Sequence, residues 1–168
     1  HRLSYIADFI GKQLTGQALR LTNRMIEFRE YPGLRINYSN ETVLDDEIRV
    51  QPCSLLFENG IKQQSVNCFE VNGDKAFFST SGDIPFDVFA ATFYLLSRYE
   101  EYLPHKKDMY GRYAHENSLA FKEGFLGKPL INIWLQNFKQ ALKIKFPSFT
   151  PDSYRDHHSA FTFLPTYD

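Results

Sequence analysis

An apolar helix that stops at a proline, then roughly two dozen polar and aromatic residues before the next helix, leaves this chain few ways to fold. Both features lie in residues 81–134. Phe86, Phe89, Phe93 and Leu96 recur every three or four positions, and so do Val88, Thr92, Leu95 and Tyr99. Together they wrap most of a helical circumference, which predicts a largely buried helix over 86–103 with Phe89 and Phe93 in the core. Asp83 is placed to cap it, Pro85 suits its first turn, and Pro104 ends it. One stripe is left over: Asp87, Tyr94, Arg98 and Glu101, which share a face. That stripe reads either as a wet face with weak ion pairs or as the polar wall of a cleft roofed by the following loop.

The loop, 104–128, is longer than ordinary connections, and long connections tend to be functional or disordered. Tyr110, Tyr113, Leu119, Phe121, Phe125 and Leu126 give it anchors to bury, and Gly111, Gly124 and Gly127 permit tight turns. The expectation is an ordered excursion with its own packing.

Before and after this stretch the pattern is mixed. Leu3, Ile6, Ala7, Ile10 and Leu14 mark an amphipathic helix over about 2–14, closed by Thr15 and Gly16. Residues 17–22 read as a short strand, and Met25, Ile26 and Phe28 as a helical turn capped by Thr22 or Asn23. Leu34, Ile36 and Tyr38 alternate with Arg35 and Asn37, giving a strand with one wet face. A second strand lies near 47–51. Residues 54–59 fit either state, with Leu55, Leu56 and Phe57 buried in both. Residues 66–71 and 75–79 form a hairpin, because Asn72-Gly73 supplies the positive φ angles its turn needs. The last helix, 129–145, turns Ile131, Trp134, Leu135, Phe138 and Leu142 inward. Residues 148–159 read as a linker and 160–168 as a strand. The fold class is mixed α/β: one mixed sheet, with some parallel pairing, packed by an N-terminal helix and two longer C-terminal helices.

Bulk properties narrow the function. The 168 residues fit one domain, and 19 Lys and Arg against 20 Asp and Glu lack the basic excess of a nucleic-acid binder. No apolar run reaches the ~18 residues a spanning helix needs, so no membrane partner is expected. Cys53 and Cys68 match no redox pair or zinc spacing and read as reduced, buried thiols of a cytoplasmic protein. A chain that begins at His1 reads as a fragment.

Chemistry-bearing side chains crowd the loop and the end of the helix before it. His105, Asp108, His115 and Glu116 are ligand types, but they match no closed ligand set, and adjacent His157 and His158 diverge, so no metal is expected to be held by this chain. Glu100 and Glu101 are adjacent on a helix and point about 100° apart, so they do not form an acid–base pair. No nucleophile elbow and no phosphate loop is present. Arg98 or Arg112 is expected to pair with Glu100, Glu101 or Asp108 and pin the loop to the helix. In one version that clamp is structural. In the other, the same residues with Tyr110 and Tyr113 floor a sugar-binding cleft, since tyrosine rings stack on sugar faces while their hydroxyls bond the rim. The candidate binding residues are therefore Arg98, Glu101, His105, Asp108, Tyr110, Arg112, Tyr113 and His115.

The run FTFLPTYD at 161–168 resembles the opening strand of a polysaccharide-deacetylase catalytic domain, with Thr166, Tyr167 and Asp168 matching its T-[FY]-D motif. The segments FDVFAATFYLLSRYEEYL (86–103), DMYGRY (108–113), PLINIW (129–134), LRINYS (34–39) and IPFD (84–87) resemble the N-terminal region of bacterial polysaccharide-deacetylase-like proteins, a region of unknown function that precedes the deacetylase domain. The resemblance implies an accessory domain over 1–147, then a linker and the first strand of a truncated deacetylase-like domain over 148–168. Asp168 would match a catalytic carboxylate, but the family's HxxxH metal motif is missing. The resemblance thus implies a non-catalytic domain that binds carbohydrate or positions the C-terminal deacetylase-like domain, its partner in the same polypeptide. It needs no cofactor of its own, and any divalent metal would sit in the parent catalytic domain. The alternative is an independent hydrolase with its site in the 104–128 loop.

Overall fold

The computed structural model describes residues 1–150. Their order is α1 (Arg2–Thr15), α2 (Met25–Glu30), β1 (Ile36–Asn37), β2 (Ile48–Arg49), a 3-10 turn (Ser54–Phe57), β3 (Phe69–Val71), β4 (Asp74–Ala76), α3 (Val88–Leu96), a 3-10 turn (Tyr99–Tyr102), a 3-10 turn (His115–Asn117), α4 (Leu119–Lys122) and α5 (Leu130–Lys145). The class is mixed α/β. The strands do not join into one sheet. Among the described residues β1 and β2 pair in parallel, with Ile36 opposite Ile48, and β3 and β4 pair antiparallel, with Phe69 opposite Ala76. Such short pairs cannot bury a face alone, so they depend on the helices packed against them.

The core lies where α1, α3 and α5 meet. Ile6, Ile10 and Leu14 of α1 are buried, as are Trp134, Phe138 and Leu142 of α5. Between them α3 is buried from Val88 to Tyr94, so Phe89 and Phe93 do lie in the core. Aromatic rings fill much of it: Phe89 meets Phe138 edge-on at 6.1 Å, and Phe86 meets Trp134 at 5.4 Å. The Trp134 indole N–H donates to the Lys75 carbonyl (2.9 Å), which ties α5 to the β3–β4 hairpin. At the hairpin tip Asn72 and Gly73 both take positive φ, 54° and 83°, as a tight two-residue turn requires.

Several elements differ from their sequence patterns. Residues 17–22 are not a strand. Their backbone instead lies across α1 at Gly11, where a Cβ would sit 2.5 Å from Leu19 N and 2.6 Å from Gln17 O. Glycine permits that approach, and Gly11→Ala is expected to cost about 1–3 kcal/mol in urea unfolding, since the obstacle is backbone rather than a movable side chain. An unchanged midpoint would show that the crossing relaxes freely. Asn37 is buried instead of wet, because its amide donates to Glu47 Oε1 (2.7 Å) and to the Glu41 carbonyl (2.7 Å). Phe57, expected inside, is exposed and stacks on Tyr38 at 5.9 Å. Cys53 and Cys68 are free and only partly buried.

The central helix is shorter than 86–103. Asp87, not Asp83, is its cap, accepting from the Ala90 N–H at 3.0 Å. Asp83 is used elsewhere, exchanging backbone and side-chain hydrogen bonds with Arg49. The helix stops at Leu96, and Arg98 takes φ 52°. That left-handed residue turns the chain so that Tyr99 enters the core, where its hydroxyl bonds the backbone of Lys62 (2.9 and 3.0 Å) and its ring stacks on Tyr94 at 5.4 Å. The predicted stripe is thereby broken: Asp87 and Tyr94 are buried and only Arg98 and Glu101 reach the surface. The linker after Phe149 and Thr150, the strand at 160–168, His157, His158 and Asp168 lie outside the described residues.

Candidate binding cleft

The 104–128 excursion is ordered by its own hydrogen bonds. Lys107 and Tyr113 form an antiparallel bridge, and the Asp108 N–H donates to the Arg112 carbonyl at 2.8 Å. Asp108 Oδ1 accepts from the backbone N–H groups of Tyr110 (2.8 Å) and Arg112 (2.9 Å), closing a tight turn in which Gly111 has φ 79°. These donors, Arg112's N–H foremost, hold the Asp108 carboxyl below the usual carboxylate range. The Asn117 side chain braces the base of the turn through the backbone of Lys106 and Ala114. Ser118 caps α4 by accepting from the Phe121 N–H.

The excursion is fastened to the central helix region by Glu100, whose Oε1 accepts from the Leu119 N–H at 2.8 Å. Burial lifts this carboxyl above its usual range, against the pull of that hydrogen bond. The expected arginine–carboxylate pairs form, but they do not clamp the loop to the helix. Arg98 pairs with Glu101, three residues on, and Arg112 pairs with Asp108 at 3.2 Å, four residues back. Each pair is internal to its own segment, because the αL turn at Arg98 and the tight turn at Asp108 bring close sequence neighbours together.

Between these two segments lies an open cleft of about 680 Å³. Its lining brings together Arg98, Glu101, Asp108, Tyr110, Arg112, Tyr113 and His115, with Met109, Ala114 and Glu116, of which Met109 and Ala114 carry no recognisable signal in the sequence. His105 stands behind the wall: its ring packs edge-on against Tyr113 at 4.9 Å and its Nδ1 lies 2.8 Å from the Leu103 carbonyl. The two tyrosines differ. Tyr110 is 71% exposed, with the Arg112 guanidinium 4.8 Å from the centre of one ring face. Tyr113 is half-buried, and its hydroxyl is buried without a hydrogen-bond partner among the described residues, so it is not a rim group. Burial, then the carboxylates of Glu100 and Glu101, pushes this phenol up to about 12. His115 Nδ1 lies 3.5 Å from Glu116 Oε2, and its ring packs against Phe121.

Among the described residues no Ser, Thr or Cys lines the cleft. Among the described residues no group of three or more His, Cys, Asp or Glu is placed to hold a metal ion, and no helix is long and apolar enough to cross a membrane. Burial pushes the Cys53 thiol up to about 12 and the Cys68 thiol up to about 11, which leaves both poorly suited to nucleophilic chemistry. A smaller apolar groove of about 230 Å³ runs between Leu95, Phe125, Leu126 and Pro129 on a different part of the excursion.

Sequence patterns missed two buried carboxylates. Asp87 Oδ2 accepts from the Tyr38 hydroxyl and the Cys53 N–H, both at 2.8 Å, while its Oδ1 caps α3. Burial outweighs these three donors and holds the Asp87 carboxyl above its usual range. Glu47 accepts from Asn37, from the Val43 N–H (3.0 Å) and from the Leu44 N–H (3.1 Å), organising the β1–β2 connection. Both lie away from the cleft lining and knit the core rather than a site.

The profile of a family described as "Family of unknown function (DUF7033)" matches residues 1–147, and the chain belongs to that family. No curated protein and no solved structure matches it.

Proposed function

We propose that this member of the DUF7033 family is a non-catalytic accessory domain whose cleft at 98–101 and 108–116 binds saccharide for an adjoining polysaccharide-deacetylase-like domain of the same polypeptide. The observation that carries the reading is the convergence of Tyr110, Arg112, Tyr113, Arg98 and Glu101 on one open cleft. An exposed tyrosine offers a stacking face, and arginine–carboxylate pairs offer adjacent donors and acceptors for ring hydroxyls. Binding is favoured over hydrolysis because the cleft's chemistry is already engaged. Asp108 is held ionised by backbone donors, so it is not poised as a general acid, and Glu101 is occupied by its pair with Arg98. The domain itself uses no cofactor in this reading, and a divalent metal belongs to the deacetylase-like partner.

The double variant Tyr110→Ala with Arg112→Gln tests it. Both side chains are exposed, so the unfolding free energy should stay within about 0.5 kcal/mol of the parent. Isothermal titration with cello-, malto- and xylo-oligosaccharides should show affinity falling about tenfold or more, as expected for losing a stacking face and a forked donor. Unaltered affinity in a stable variant would move the site elsewhere.

A further inference from the structure

Both arginines of the cleft are already matched. Arg98 is paired with Glu101 and Arg112 with Asp108, while Glu116 has the His115 imidazole 3.5 Å away, a partner that is charged only when protonated. Among the described residues no arginine in the lining stands without a carboxylate beside it. Resting on the saccharide reading above, we infer that the cleft takes an uncharged saccharide and discriminates against uronate sugars.

The physical reason is local. A ligand carboxylate that approaches either guanidinium also approaches the carboxylate already bound to it. Like charges brought together in this way cost binding free energy. A neutral hydroxyl has no such conflict. It accepts from the guanidinium and donates to the neighbouring carboxylate, so one hydroxyl bridges each pair without breaking it. The two arginine pairs sit in separate segments, Arg98–Glu101 in the turn after α3 and Arg112–Asp108 in the excursion, and both line the same cleft. They can therefore hold hydroxyls at two points while Tyr110 supplies an apolar face. An anion-binding site would be built otherwise, with guanidinium groups free to fork onto the ligand's oxygens.

The test is the full chain on an immobilised panel of neutral, uronate-containing and glucosamine-containing glycans at physiological salt. Neutral glycans are expected to bind, with uronate glycans about tenfold weaker or worse. Two variants read the mechanism directly. Glu101→Gln releases Arg98 and should shift preference toward uronates, whereas Arg98→Gln releases Glu101 and should shift it toward amino sugars. Tighter wild-type binding of uronate glycans overturns this inference while leaving the saccharide site standing, and so does an unchanged preference in both variants. Failure to bind any glycan overturns the saccharide site itself.

Discussion

Replacing Asp87 with Ala is expected to cost the fold about 3–5 kcal/mol, the sum of a lost helix cap and two buried donors left unpaired. This one carboxylate receives the Tyr38 hydroxyl, the Cys53 N–H and the Ala90 N–H, from three separate parts of the chain. It is fully buried, so water cannot replace what is removed. Asp87→Asn should cost less, roughly 1–2 kcal/mol, because the amide oxygen still caps α3 while its N–H₂ faces the Cys53 donor. Equilibrium urea unfolding of the two variants ranks them. Equal losses would mean that the cap contributes little and that the Tyr38 and Cys53 bonds carry the effect.

Phe77→Ala is the second large effect, expected at about 3–5 kcal/mol. Phe77 is fully buried and its ring meets Phe78 at 5.0 Å, Trp134 at 5.5 Å and Tyr94 at 5.6 Å, all edge-on. It therefore joins the hairpin to α3 and α5, and its removal leaves a cavity among rigid rings that cannot easily close. Its neighbour Phe78 has φ 61°, an uncommon conformation for a bulky residue. That backbone is held in place by the Asp87 N–H donating to the Phe78 carbonyl at 2.9 Å.

The parts of the fold legible in the sequence are those set by local pattern. The apolar spacing of α1 and α5 and the Asn72-Gly73 turn each carry their own physical cause, and each appears in place. What was not legible depended on distant partners. Asp87 reads as a solvent-facing helix residue until Tyr38 and Cys53 arrive at it from 49 and 34 positions away. Asn37 reads as the wet face of a strand until Glu47 folds back beneath it. The end of α3 is invisible because Leu95 to Leu103 continues a helical rhythm, and only the placement of Tyr99 in the core requires the left-handed turn at Arg98. The cleft falls between these cases. Its residues cluster within 98–116, so their proximity follows from chain connectivity. Their pairing follows too, since Arg98 and Glu101 lie three apart and Arg112 and Asp108 four apart, but the link between helix and loop does not: Glu100 makes it rather than an arginine.

The most direct test of the saccharide-binding account is an NMR titration of the full, isotope-labelled chain with neutral cello-, malto- and xylo-oligosaccharides, following backbone amide shifts. The account predicts saturable shifts confined to residues 98–101 and 108–116, with the amides of Tyr110, Arg112 and Tyr113 among the largest. No saturable shift with any of these sugars, or shifts centred on the apolar groove at Leu126 and Pro129, would contradict it.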